Sequence, residues 1–269
     1  MIPVSIVIIT KNEAALIANC ITACKPISDD IIIIDNDSTD YTPKIAESLG
    51  CRVFLENWDG YGANKNKGGL LAKYDWILSI DADEIPDAEL ITALHQLSFN
   101  DSKVVYDIKF KTYFGKKIIQ YGSWGNNHKI RLFNRIHVKW SNSKVHETLL
   151  LPNFTNIKRL KGHIDHFTVQ SVQEFYQKAN HYANLSTEQY LINNKKNVFL
   201  KLYLSPIFGF IKNYIIRLGF LDGAEGLDIA LITYKNTWSK YYRLKQLQRK
   251  LDSLSTKTHI IKDFDMEYK

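Results

Sequence analysis

Trp76-Ile77-Leu78-Ser79-Ile80-Asp81-Ala82-Asp83 is the stretch on which the reading of this chain turns. Its first five residues, four of them apolar, read as a strand that ends at Asp81. The run ends abruptly in two aspartates one residue apart. Two carboxylates at the end of a buried strand offer hard oxygen ligands, which suit Mg2+ or Mn2+. The alternative is a helix N-cap region, in which Asp87 or Asp83 simply caps the helix expected over Asp87 to Leu97.

Working outward, the pattern recurs. Val4 to Ile9 is a β-branched run that ends in Thr10-Lys11-Asn12-Glu13, and Ile31 to Ile34 is another that ends in Asp35-Asn36-Asp37-Ser38-Thr39-Asp40. A shorter strand fits Cys51 to Leu55. Helical composition fills Ala14 to Ala23, Thr42 to Leu49 and Ala63 to Ala72. Strands alternating with helices at this spacing predict an α/β fold with a doubly wound, mostly parallel sheet. Ligands of such sheets bind outside the carboxyl ends of the strands. The three polar clusters are therefore expected to meet at one crevice. Ser38, Thr39 and Asp40 read as caps for the helix that follows, and Asp35 as an acceptor for the N3–H of a uracil ring.

Past Val104 the strands follow one another without helices, over Val104 to Tyr113, Lys117 to Tyr121, His128 to Asn134 and Val138 to Trp140. They predict a mixed β region. Beyond it, helices are expected over Val172 to Ile192, Leu200 to Leu218 and Ala224 to Leu251, with Asp222 as an N-cap.

Composition bounds the function class. The 269 residues carry 45% hydrophobic and 23% charged side chains with a net charge of +7, an ordinary globular balance with a basic excess. The excess sits late: residues 195 to 250 hold eleven Lys and Arg against three Asp and Glu. Nucleic acid is an unfavoured partner, because no platform of interleaved aromatic and basic residues accompanies the charge. Cys20, Cys24 and Cys51 cannot complete a zinc site and read as free thiols of a reducing cytoplasm. The N-terminus lacks the marks of a signal peptide. Ile207, Phe210, Ile211, Tyr214, Ile215 and Leu218 trace one helical stripe with Lys212 and Arg217 off it, and Lys201, Pro206, Lys212 and Arg217 interrupt the apolar segment. A spanning helix needs about 20 mostly apolar residues. The stripe therefore packs on the rest of the protein or lies on an anionic membrane surface.

Taken together, Pro3 to Glu13, Ile34 to Thr42 and Ile80 to Glu84 resemble family 2 glycosyltransferases of the GT-A fold. Gly60 to Asn66, Val145-His146-Glu147 and Gly219 to Gly226 are similar to lipopolysaccharide-core β-1,4-glucosyltransferases of the heptose-modifying type. The resemblance implies a catalytic domain over residues 1–170, its nucleotide-sugar half about 1–100 and its acceptor half about 101–170. A helical extension over 171–269 follows. It implies an inverting enzyme that moves a hexose, glucose from UDP-glucose, to a lipid-linked oligosaccharide at the inner face of the cytoplasmic membrane. Alternatives are another family 2 activity, in exopolysaccharide or protein glycosylation, and a non-catalytic nucleotide-sugar or glycan-binding module.

Residue by residue, the resemblance places Thr10, Asn12, Glu13 and Asp35 at the nucleoside. Asp81 faces the ribose and Asp83 the divalent metal, with His166 as a further metal or diphosphate contact or else a capping or core histidine. Lys65 faces the diphosphate or stands as a solvated helix lysine. Glu147 is the expected general base, across the sugar from the leaving group, with a surface ion pair as its alternative. His146 orients it, touches the acceptor, or belongs to the core. Trp124, His128 and Arg131 are expected near the acceptor, Arg131 as a phosphate contact.

Overall fold

A computed structural model describes residues 1–125, 127–143, 147–192 and 198–267. The chain divides into two compact units. One comprises 1–120 and 124–170, the other 121–123 and 171–269.

The first unit is built on one large sheet. Its strands are β1 (Val4–Thr10), β2 (Asp30–Asp35), β3 (Arg52–Leu55), β4 (Trp76–Asp81), β5 (Glu84–Pro86), β6 (Val104–Phe114), β7 (Lys117–Ile119), β8 (Asn127–Asn134) and β11 (Asn156–Val169). Two more, β9 (Lys139–Trp140) and β10 (Leu149–Leu150), pair separately. The order is β3-β2-β1-β4-β8-β6-β11-β5, with β7 beside β6. β3, β2, β1 and β4 run parallel, and β8 lies antiparallel between β4 and β6.

The apolar runs at β1, β2 and β4 are continuous because both faces of this half are covered. On one face α1 (Ile17–Cys24), α2 (Thr42–Ser48) and α4 (Ala88–His95) pack on Ile6, Ile8, Ile33 and Leu78. On the other, α3 (Tyr61–Leu71) and the β9 segment cover Val7, Ile9, Ile32, Ile34 and Ile77. Gly68 lets α3 approach closely, since a Cβ there would sit 2.3 Å from Val7 Cγ1. Asp30 ties the lower ends of the strands together: its carboxylate accepts from Ser5 Oγ, from Lys73 N at 2.7 Å and from Arg52 Nη1 at 2.8 Å. Burial raises the Asp30 carboxyl, but these donors outweigh it and hold it below the usual carboxylate range. Cys20 and Cys24 are buried free thiols of α1, and Cys51 is half-buried.

Several expectations need correction. The strand β11, fourteen residues long, went unread because its first half is exposed and polar and its pairing with β6 is broken by register shifts. The strand expected over Lys117 to Tyr121 stops at Ile119. Ser38 and Thr39 do not cap α2. Ser38 binds Asp35, Thr39 N donates to Asn12 Oδ1, and only Asp40 serves the helix by accepting from Thr42 N at 3.0 Å. Asp87, rather than Asp83, caps α4 by accepting from Leu90 N.

The second unit is helical: α5 (Val172–Ile192), α6 (Val198–Phe210) and α7 (Gly223–Glu267). A π-helical turn, Ile211–Ile216, and a 3-10 turn, Gly219–Asp222, separate α6 from α7, so the single helix expected to Leu218 is broken. Gly226 allows the turn to press on α7, where a Cβ would meet Gly219 O at 1.9 Å. Asp222 directly precedes α7, and its carboxylate accepts from Tyr121 N at 2.8 Å; Asn213 Oδ1 accepts from Ser123 N. No helix among the described residues is long and apolar enough to cross a membrane.

Candidate active site

The register of the parallel strands decides what meets at their carboxyl ends. Thr10 lies beside Asp35, and Asp81 beside Ile9. Thr10 Oγ1 donates to Asp35 Oδ2 at 2.8 Å. Asp35 is fully buried and also accepts from Ser38 N at 2.9 Å and Ser38 Oγ at 2.6 Å. The β1 loop is locked to the β2 loop through Asn12, whose N–H donates to Ser38 Oγ and whose φ of 57° suits an asparagine. Glu13 N donates to Thr42 Oγ1. Thr10, Asn12, Glu13 and Asp35 thus form one continuous rim.

A second constellation surrounds Asp81. Lys65, in α3 and almost wholly buried, places its Nζ 3.1 Å from Asp81 Oδ1 and 2.8 Å from Glu147 Oε1. The lysine also lies over the Trp140 ring, 4.7 Å from its centroid. Its approach to Glu147 depends on Gly62, where a Cβ would fall 1.8 Å from Ser141 O and 3.2 Å from Glu147 Cβ. Lys65, Asp81 and Glu147, distant in sequence, are therefore brought together. Lys65 faces two carboxylates and is not a solvated helix lysine.

Arg131 completes the group. The antiparallel pairing of Leu132 with Leu78 sets Arg131 toward the carboxyl end of β4. There its guanidinium is buried, 2.9 Å from Asp81 Oδ2 and paired also with Glu84. Glu84 Oε2 accepts from Asp81 N at 3.0 Å. Burial pushes the Asp81 carboxyl up, but Lys65 and Arg131 overcome this and hold it well below the ordinary carboxylate range. Burial raises Glu84, against the pull of Arg131. The role of Glu84 went unread, although it directly follows the Asp-x-Asp segment. Its partner Arg131 could be assigned only once β8 was known to lie beside β4.

Asp83 and His166 face each other, with His166 Nε2 3.5 Å from Asp83 Oδ2 and His166 Nδ1 3.2 Å from Thr168 Oγ1. Backbone pairing holds this geometry: Phe167 N donates to Asp83 O, and β5 pairs with β11 at His166. Among the described residues no three His, Cys, Asp or Glu side chains form a metal site on their own. The pair nonetheless fits a divalent ion. Two adjacent ligands at about 2.1 Å from a metal stand about 3 Å apart in octahedral geometry, close to the separation seen. Asp81 Oδ1, two residues away in sequence, is a further carboxylate oxygen, held 3.1 Å from Lys65 Nζ.

The remaining candidates stand apart from these contacts. His128 lies 3.2 Å from Asp107, and Trp124 packs on Phe114. His146 lies outside the described residues.

The family model Glycosyl transferase family 2 matches residues 5–173. An uncharacterized glycosyltransferase of Rickettsia prowazekii is 30% identical over 99% of this chain and 94% of its own. The lipopolysaccharide core biosynthesis glycosyltransferase LpsC of Rhizobium meliloti is 28% identical over 89% of this chain and 93% of its own. Among solved structures, glucosyl-3-phosphoglycerate synthase from Mycobacterium tuberculosis, in complex with Mn2+, UDP and glucosyl-3-phosphoglycerate, aligns at 23% identity. That alignment covers 42% of this chain and 44% of the other, at a TM-score of 0.33. With polar residues gathered at the carboxyl ends of the parallel strands and the family model matching residues 5–173, this chain belongs to glycosyl transferase family 2 and has the GT-A fold.

Proposed function

We propose that the protein is an inverting hexosyltransferase that moves glucose from UDP-glucose to a lipid-linked core oligosaccharide in cell-envelope glycan synthesis. The observation that carries the reading is the Asp81–Lys65–Glu147 triad beside the Thr10–Asp35 rim. One end suits a nucleoside, the other an acceptor. The likeness to LpsC along most of both chains supports a lipopolysaccharide-type acceptor.

In this reading Thr10, Asn12, Glu13 and Asp35 form the nucleoside end, and Asp81 meets the ribose. Asp83 and His166 hold a Mg2+ or Mn2+, which when bound offsets the negative charge of the diphosphate. The imidazole in the pair favours Mn2+ over Mg2+. Glu147 accepts the proton of the acceptor hydroxyl as that oxygen bonds to the anomeric carbon. The bond from that carbon to the diphosphate oxygen breaks on the opposite side, and UDP leaves with the electron pair. Inversion turns an α-linked donor into a β-linked product. Lys65 fixes the Glu147 carboxylate relative to Asp81, so base and donor site share one anchor.

A second reading treats Glu147 as a structural ion-pair partner of Lys65, and the salt bridge itself favours it. Glu147→Gln separates the two, because glutamine keeps an acceptor for Lys65 and loses the base. The expected variant binds UDP as the parent does and transfers glucose at least about a hundredfold more slowly, within the range for a general base. Turnover at the parental rate moves the base elsewhere.

A further inference from the structure

Helix α6 and the π-turn after it are apolar on two opposite sides, and only one side is covered. Leu202 and Pro206 are buried, Leu202 in a cluster with Tyr241 and Leu244 of α7. On the other side Leu204, Ile207, Phe208, Ile211, Ile215 and Ile216 are 39–63% exposed. A helix with apolar side chains on opposite faces needs a partner, protein or lipid, on each of them. The thirteen residues of α6 are about 20 Å long at 1.5 Å per residue, too short to cross a bilayer core of about 30 Å. Contiguous apolar patches of this kind on a soluble surface mark an interaction site.

Charge identifies the occupant. From Val198 to Leu221 the sequence holds Lys201, Lys212 and Arg217 and not one Asp or Glu. On an α-helical wheel Lys201 falls beside the exposed stripe, and Lys212 and Arg217 are exposed next to it in the π-turn region. At the other margin, Tyr203 joins Trp238, Tyr242, Lys245 and Arg249 around a cleft of about 160 Å3. Trp238 and Tyr242 stack with centroids 4.9 Å apart. Aromatic rings and cations bordering an apolar face are the composition of a helix seated at a membrane–water interface. A second copy of the chain fits less well, since a two-fold contact through this face would bring its cations together.

We infer that the outer face of α6 and the π-turn lies in the surface of a bilayer rich in anionic lipid. The apolar side chains sit among the acyl chains, and Lys201, Lys212 and Arg217 meet the headgroups. The inference deepens the reading of a lipid-linked acceptor and rests on it for its purpose. Its test is independent of that reading, because vesicle binding and UDP binding are measured separately.

The test is flotation of the full chain with phosphatidylcholine vesicles, with and without phosphatidylglycerol, alongside UDP titration and circular dichroism. The parent is expected to float with the phosphatidylglycerol vesicles and to remain at the bottom with phosphatidylcholine alone. Ile207→Glu/Phe208→Glu is expected to abolish flotation with helical content and UDP binding unchanged. Lys212→Gln/Arg217→Gln is expected to weaken partitioning about thirtyfold, from about fivefold per cation near an anionic surface. A parent that stays at the bottom with both vesicle types overturns the inference. So does a stable dimer that Ile207→Glu/Phe208→Glu dissociates without any effect on flotation. Loss of UDP binding in a parent that still floats would count against the donor site and leave the membrane face standing.

Discussion

Arg131 and Glu84 are the residues on which the site's electrostatics rest. Two acids converge on one buried guanidinium, and Lys65 supplies the second cation that keeps Asp81 ionised. Removing one member leaves an uncompensated buried charge, which costs more than the pair itself is worth. Arg131→Met is therefore expected to destabilise the protein by about 3–5 kcal/mol. Arg131→Met/Glu84→Leu should recover part of that loss, because Asp81 then keeps Lys65 while no carboxylate is left beneath it. Urea unfolding of the single and double variants measures both. Lys65→Met leaves Asp81 and Glu147 without their shared cation. It should cut turnover more than Arg131→Lys does, which steady-state kinetics of the two variants would reveal.

Between elements, two close approaches position the site. The first is α3 against the segment that carries Glu147. Gly62→Ala places a methyl group against Ser141 O, a backbone atom with no side chain to swing away. The segment must shift, so activity should fall at least about tenfold with a stability cost of about 1–3 kcal/mol. Parallel kinetics and thermal melts separate the two effects. The second is the Asp30 pin across β1, β3 and the turn before β4. Because its folded carboxyl is depressed, its stabilisation is complete above the unfolded Asp value of about 3.9 and is lost as pH falls through the lower folded value. Asp30→Asn should destabilise the protein at neutral pH and flatten the acid limb of its stability profile. An unchanged acid limb, in melts from pH 7 downward, would show that the pin carries no charge.

At the scale of the molecule, legibility followed the physics of burial. β1, β2 and β4 could be read because a strand covered on both faces must be continuously apolar, and their polar ends could be placed from parallel topology alone. That much located Thr10, Asp35, Asp81 and Asp83. β11 is a strand by virtue of its neighbours β6 and β5, not its own composition, so the backing of His166 was out of reach. The Lys65–Glu147 contact spans chain-distant residues and depends on an unshielded glycine, and local pattern does not encode it. Arg131 reads from sequence as a phosphate contact, because nothing local encodes the antiparallel insertion of β8 beside β4. Whole-molecule function rests on one claim, that the crevice at the carboxyl ends of β1, β2 and β4 takes a nucleoside diphosphate together with a divalent cation. Isothermal titration of UDP into the full chain, with and without Mn2+, tests it most directly. Binding is expected to require the metal and to be weakened at least about tenfold by Asp83→Asn or His166→Ala, as loss of a ligand should do. UDP binding of equal strength without any divalent cation, or no binding in the presence of Mn2+ or Mg2+, would contradict it.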